Sequence, residues 1–469
     1  MNKKIVSVLT ALLIVTMAVP VFADGHMEDN VKITGEVKSV INVGKYGDSD
    51  LGAAELWADD DVLDEDYTAD PDLFPAQKAF YQEIGFDVAG TVNQNINFNL
   101  AIDTLTNNFT KVTGPGNTNG TTLGDPGALD ELVMDNALLT IADDVSTLKI
   151  GDINGFHAAT YFMDDEDLEG MELTTAMNGA DLRTFVGSNT GDFPGTDYYG
   201  ASYTKNYENG YLAGKLYGAR NNDEFIHNLA VAAKRDMSEA LTVDGELVVN
   251  DADKNMARNA TGKEGDILVT ANADYTVSET VTVNGTFEMA GEDFAPVKTH
   301  DLEEAGNYNL FSIGSDVVLD ENNTMNAAYT MVDHDKSENK STLELGLENV
   351  NGAYTNNASI AFTTNDTYTD NSDITVINLG TEYAMDAATL SAGLTNQSSD
   401  YHNEFTYLAV GYDQTITDNV TWNSEFGYID GTTGDAGTID DDLSNIKRNN
   451  LANTDSSGVH LETALTVSF

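Results

Sequence analysis

The chain is expected to be all-β and to close into a transmembrane antiparallel up-and-down β-barrel. Three observations lead there. Apolar residues alternate with polar ones at a period of two almost from end to end, and helical periodicity is scarce. The connections between alternating segments are short and long by turns. Beyond the first 23 residues no apolar run reaches the roughly 18 residues that a spanning helix needs. The mature chain is then either soluble outside the inner membrane or a closed barrel, the other way to span lipid.

Composition narrows the classes. Of 469 residues 78 are acidic and 22 basic, a formal charge of −56. Phosphate binding needs clustered Lys and Arg, so nucleic acid is excluded as a partner. Self-repulsion on this scale weakens a compact soluble core unless salt or cations screen it. There is no cysteine, hence no disulfide and no thiolate metal site. With only 7 prolines against 20 Tyr and 18 Phe, long strands are favoured over disorder.

The first element is an export signal, MNKKIVSVLTALLIVTMAVPVFA. Lys3 and Lys4 make its basic start, Ile5 to Val19 its apolar core, and Val21-Phe22-Ala23 its small-residue cleavage site. Residues 1–23 are read as a signal peptide cleaved after Ala23, and 24–469 as the barrel.

The first strand, 31–43, reads VKITGEVKSVINV, with Val31, Ile33, Val37, Ile41 and Val43 on one face and Lys32, Thr34, Glu36 and Lys38 on the other. NINFNLAID, LTVDGELVV, ETVTVNGTFEM and NVTWNSEFGY repeat the pattern. Counting such segments gives about 22 strands of roughly ten residues, within a range of about 16 to 22. Short turns are expected at 142–146, 236–239, 276–279, 320–323, 385–388 and 415–419, and long acidic loops near 44–79, 104–133, 153–168, 250–265, 290–306 and 430–457. All six prolines of the mature chain (Pro71, Pro75, Pro115, Pro126, Pro194 and Pro296) fall in long connections, as a residue that cannot donate to a ladder should. The last strand, 458–469, puts Leu461, Thr463, Leu465, Val467 and Phe469 on one face, and pairing it with the first closes the sheet. Phe469 then sits at the lipid interface on the short-turn side. A soluble sandwich array or solenoid also alternates, but gives no reason for an aromatic terminus or for the rhythm of connections.

These residues resemble the Gram-negative outer-membrane porins. The resemblance lies in the terminal strand ending in Phe469, similar to the signal read by the outer-membrane assembly machinery (with Leu465 and Val467); in the opening strand with Gly35 near its start; and in Thr147-Leu148-Lys149-Ile150-Gly151, like the run that precedes the inward-folding third loop. It implies a constriction loop at 153–168 carrying Asp164, Asp165, Glu166, Asp167 and Glu169, and a homotrimer in outer-membrane lipid. Asp152 follows the Gly where the family carries a basic or polar residue, and arginine is scarcer on the wall. With only a short segment ahead of the first strand, no plug domain is expected.

If the apolar face meets lipid, the opposite face lines the lumen. Lys32, Lys38, Lys149, Arg183 and Lys215 then point inward, candidates for a basic wall facing the acidic loop or for ordinary solvated lumen charges. Asp and Glu in a pore favour cations, although acidity spread over many loops also fits a high-salt surface. Asp59, Asp60, Asp61, Asp64 and Asp66 are one dense acidic loop that suits hard cations or plain solvation. DHDKSENKSTLE, 333–344, has EF-hand spacing but Glu338 where the turn needs Gly, so no metal is assigned. The seven histidines are scattered, no hydrolase motif appears, and neither enzyme activity nor a cofactor is expected. The reading is a porin passing ions and small hydrophilic solutes, with cation preference. The alternatives are a sugar-specific channel, for which Tyr199, Tyr203 and Phe185 are the candidate aromatic track, or a non-conducting adhesin or structural barrel.

Overall fold

A computed structural model describes residues 31–46, 76–106, 133–159, 162–163, 166–188, 196–221, 224–253, 265–294, 307–334, 339–365, 373–399, 404–432 and 456–469. They form 22 strands and, among the described residues, no helix. In order these are β1 (Val31–Tyr46), β2 (Ala76–Asn93), β3 (Ile96–Thr106), β4 (Val133–Ala142), β5 (Ser146–Phe156), β6 (Glu166–Met177), β7 (Ala180–Ser188), β8 (Asp197–Tyr207), β9 (Gly210–Asn221), β10 (Glu224–Ser238) and β11 (Leu241–Ala252). The second half holds β12 (Ile267–Ser278), β13 (Val281–Ala290), β14 (Tyr308–Asp320), β15 (Asn323–His334), β16 (Lys340–Asn351), β17 (Tyr354–Asn365), β18 (Ile374–Ala384), β19 (Ala388–Ser399), β20 (Glu404–Thr417), β21 (Val420–Thr432) and β22 (Ser456–Ser468). Each pairs antiparallel with its sequence neighbours and β1 pairs with β22, so the sheet is a closed up-and-down barrel without a free edge.

The connections at one end are all two or three residues long, from 94–95 to 418–419. Those at the other end range from the two residues 222–223 to the stretches 47–75, 107–132 and 433–455, which lie outside the described residues. Five short turns share one device. A register shift just before the turn frees a side chain that accepts the N–H two residues on, from Asn93 to Asn95, Ser238 to Ala240, Ser278 to Thr280, Asp320 to Asn322 and Thr417 to Asn419. Donors that the ladder has run out of partners for are thereby satisfied.

Closure explains the terminal aromatic. Phe469 N–H donates to the Gly35 carbonyl at 2.9 Å, and Gly35 N–H to the Phe469 carbonyl at 3.0 Å. The Phe469 ring lies over Gly35, where a Cβ would meet it at 2.9 Å, and packs edge-on against Phe86. Gly35 is the seat for the last ring.

Residues on the face of Phe469 form the outer surface. Leu216, Leu229 and Leu247 are 57, 60 and 46% exposed there, in rows that continue around the barrel through Ile313, Leu345, Leu379, Leu408 and Leu461. Soluble proteins rarely show so extensive an apolar band. Aromatics border it: Tyr203, Tyr275, Tyr354, Tyr383, Tyr412 and Trp422 toward the short turns, and Tyr199, Phe225, Phe311, Phe362 and Tyr428 toward the other end. A band with two aromatic belts is the surface a bilayer accommodates.

Candidate channel lumen

The inward positions divide into two unlike walls. On β8–β12 they carry Tyr198, Tyr217, Ile226, Ala230, Val248 and Leu268, all buried. They are covered because the chain leaving β5 folds back inside the barrel. The β5–β6 register shifts between Ile153 and Phe156, and Gly155 adopts φ +61°, a conformation open to glycine. A tight turn follows, in which Ala158 and Ala159 N–H donate to the Met163 carbonyl and Phe162 and Met163 N–H to the Ala159 carbonyl. Phe162, 1% exposed, then packs its ring 4.8 Å from Tyr217 and 6.0 Å from Tyr198, centroid to centroid. Phe156 packs on Phe185 at 4.8 Å, and Phe294, just after β13, joins the same cluster. Aromatic contacts of this kind add about 0.5–1.5 kcal/mol each beyond the area they bury.

The structure turns Lys149, Arg183 and Lys215 inward and pairs each with a glutamate of the wall. Glu172, itself 7% exposed, accepts from Arg183 Nε with one oxygen and lies 3.3 Å from Lys149 Nζ with the other. Arg183 also donates to the His157 carbonyl and sets its guanidinium 4.7 Å over the Phe156 ring, tying the base of the inward segment to β7. Lys215 Nζ bonds Glu246 Oε2 at 2.9 Å. Lys32 and Lys38 occupy inward positions of β1, alternating with Ile33 and Val37.

The opposite wall, β14–β21, is open on both faces over the half nearer the short turns, while toward the long connections its inward Tyr308, Val332, Ile374, Gln397, Phe405 and Ile429 are buried. Its outward residues are apolar and exposed, yet its inward Asp316, Asn326, Glu344, Glu348, Asn357, Asn378, Glu382 and Asp413 are exposed too. Only a hollow interior gives both faces access to water. Inward asparagines lie flat over the inward glycine of the next strand: Asn284 over Gly314, Asn326 over Gly346 and Asn357 over Gly380. A Cβ at any of these glycines would come within 2.5 Å of the amide oxygen, so the pairing keeps this wall low. From 308 to 432 the sequence has just two basic residues other than histidine, Lys336 and Lys340, and Lys340 begins β16 at the long-connection end. Five carboxylates thus face lumen water here.

The expected acidic constriction is placed only in part. Asp164 and Asp165 lie outside the described residues, and Glu166 opens β6 rather than ending a loop. Asp167 and Glu169 alternate with inward Leu168 and share the face of Met171, 46% exposed on the outer surface, so the register directs them away from the lumen. The sequence reading extends the loop to 168, whereas the strand begins at Glu166. Tyr199 and Tyr203 are likewise corrected: they pair with outward Val186 and Leu182 and face out, and only Phe185 of the three faces in. Sequence reasoning missed Tyr198, Tyr217 and Phe162, and the partners Glu172 and Glu246. The available signal was the large aromatics Tyr198 and Tyr217 at inward positions of neighbouring strands. No three His, Asp or Glu converge as a metal site among the described residues; 57–72 lies outside them, and in 333–344 Asp333 faces out while Glu344 faces in.

No family model matches the sequence, and no curated protein does. Among solved structures the chain is similar to OpdQ of Pseudomonas aeruginosa (8% identity, 94% of this chain and 98% of that one, TM-score 0.40). It is similar to a BenF-like porin from Pseudomonas fluorescens Pf-5 (9%, 95% and 100%, 0.41) and to the translocation pore of the P pilus usher PapC (9%, 92% and 99%, 0.42). The likeness is one of barrel architecture and nothing finer.

Proposed function

We propose that the protein is an outer-membrane channel of the porin type, exported by its cleaved signal peptide, through which small hydrophilic solutes and ions diffuse with a preference for cations. One observation carries this reading: β14–β21 expose apolar side chains outward and Asp316, Glu344, Glu348, Glu382 and Asp413 inward. A barrel wetted inside and greasy outside suits a water-filled hole in lipid, and lumen carboxylates favour cations. The inward segment around Phe162 narrows the lumen from the other side. Asp164, Asp165 and Glu166 follow directly on Met163, which is buried inside the barrel, and our reading gives them the narrowest point. We read the chain as a homotrimer without enzymatic activity. Proteoliposome swelling tests the channel: vesicles bearing the folded barrel swell in isosmotic small sugars and in potassium salts, and fail to in large oligosaccharides. Vesicles that never swell would refute an open channel, and cross-linking in detergent reads the oligomer.

A further inference from the structure

Beneath the inward segments lies a recess of about 180 Å³, roofed by Ala159 and Phe294 and floored by inward residues of β9–β13. Its chemistry is unlike the rest of the lumen. Glu246 and Glu288 both line it, and Lys215 is bonded to Glu246. Glu288 is 8% exposed and accepts the Tyr308 hydroxyl. Glu246 Oε2 accepts from Lys215 Nζ, while Oε1 is buried with no hydrogen-bond partner. A buried carboxylate oxygen without a donor is costly, and a ligand bringing one relieves that cost.

We propose that this recess binds a small organic ammonium ion with a compact apolar body. The ammonium supplies the donor that Glu246 Oε1 lacks, and Asn272 is a further acceptor on the same lining. Leu268 and the rings of Tyr217 and Phe294 take the apolar part, and aromatic faces attract a cation as well. Size argues the same way, since a cavity of about 150 Å³ holds benzene; a disaccharide is too large. The acidic lining disfavours anions, and the want of a third converging His, Asp or Glu among the described residues disfavours a bare divalent metal.

The site rests on the channel reading for how a solute reaches it, so the test reads binding rather than conduction. Isothermal titration of the detergent-folded barrel with benzylammonium chloride is expected to show saturable binding, with benzyl alcohol showing none. Glu246→Gln weakens binding about tenfold or more, the effect of removing a charge-assisted hydrogen bond. Thr270→Leu, which fills the recess without altering its charge, abolishes binding while the barrel keeps its heat-modifiable gel mobility. No saturable binding, equal binding of benzyl alcohol, or binding unchanged in both variants overturns the proposal. A barrel that binds benzylammonium but leaves vesicles unswollen would retain the site and lose the channel.

Discussion

The two walls of the lumen are built on the same alternation and end up as different materials. On β8–β12 the inward positions hold Tyr198, Tyr217, Ile226, Val248 and Leu268, buried in one apolar cluster with Phe162 and Phe156. On β14–β21 the inward positions nearer the short turns hold Asn326, Asn357, Asn378 and acids, open to water. The first wall is a docking surface on which Lys215 is set against Glu246; the second carries its carboxylates with Lys340 as the one lysine or arginine among its described residues. The comparison teaches that in a barrel the inward face alone does not say what a residue does. What covers it decides. One wall fixes where the inward segment sits, and the other sets the charge of the water beside it.

The comparison breaks most forcefully at Phe162. Phe162→Ala removes a fully buried ring from between two tyrosines, so thermal or denaturant unfolding in detergent is expected to show a loss of about 3–5 kcal/mol, the cost of truncating a buried aromatic. Conductance should rise as the segment leaves the wall. An unchanged stability would mean the segment is not docked. Glu172→Gln comes next. It removes the carboxylate that Lys149 and Arg183 share, and with those side chains 39 and 30% exposed the loss is expected to be roughly 1–3 kcal/mol, below the figure for a fully buried pair. The same readout serves, with Lys149→Met in the Glu172→Gln background expected to recover part of the loss. On the open wall, Glu344→Gln combined with Glu348→Gln is expected to leave the unfolding midpoint within about 0.5 kcal/mol of the parent, as surface changes do, and to lower cation preference. The two walls are thereby told apart by which readout moves.

The smallest effect is in the short turns, which serve both walls alike. The N–H groups of Val145 and Ser146 both donate to Asp143 Oδ1 and hold its carboxyl below the usual carboxylate range. A folded-state pKa below the unfolded one stabilises the turn at any pH above the ordinary carboxylate value of 3.8, and that contribution fades as pH falls through the folded value. Amide exchange at Val145, corrected for its intrinsic pH dependence, should therefore lose protection in acid, and Asp143→Asn should remove that pH dependence.

Much of the barrel was legible because its alternation is strict where lipid demands it. Ile33, Val37, Leu465 and Val467 all face out, and Lys149, Arg183 and Lys215 all face in, because a one-residue slip would bury charge in hydrocarbon. The walls were less legible. The run Tyr198-Tyr199 places a tyrosine on each face, so periodicity could not say which one entered the lumen. Phe162 sits in a connection whose sequence carries no strand pattern, and its burial comes from Tyr198 and Tyr217, far away in the chain. Glu172 could be placed inward by counting, but its bond to Arg183 depends on the pairing of β6 with β7 and on the chain fold at His157. Asp167 and Glu169 read as loop acids, yet they lie on an outward strand face near the long-connection end, exposed.

The open wall is the central claim, and ion selectivity tests it most directly. We would measure the reversal potential of single barrels in a planar bilayer under a potassium chloride gradient. The account predicts a potential of the sign set by potassium, shifted toward zero when Glu344, Glu348 and Glu382 are changed together to Gln. A potential of the sign set by chloride, or one that this triple substitution leaves where it was, would contradict it.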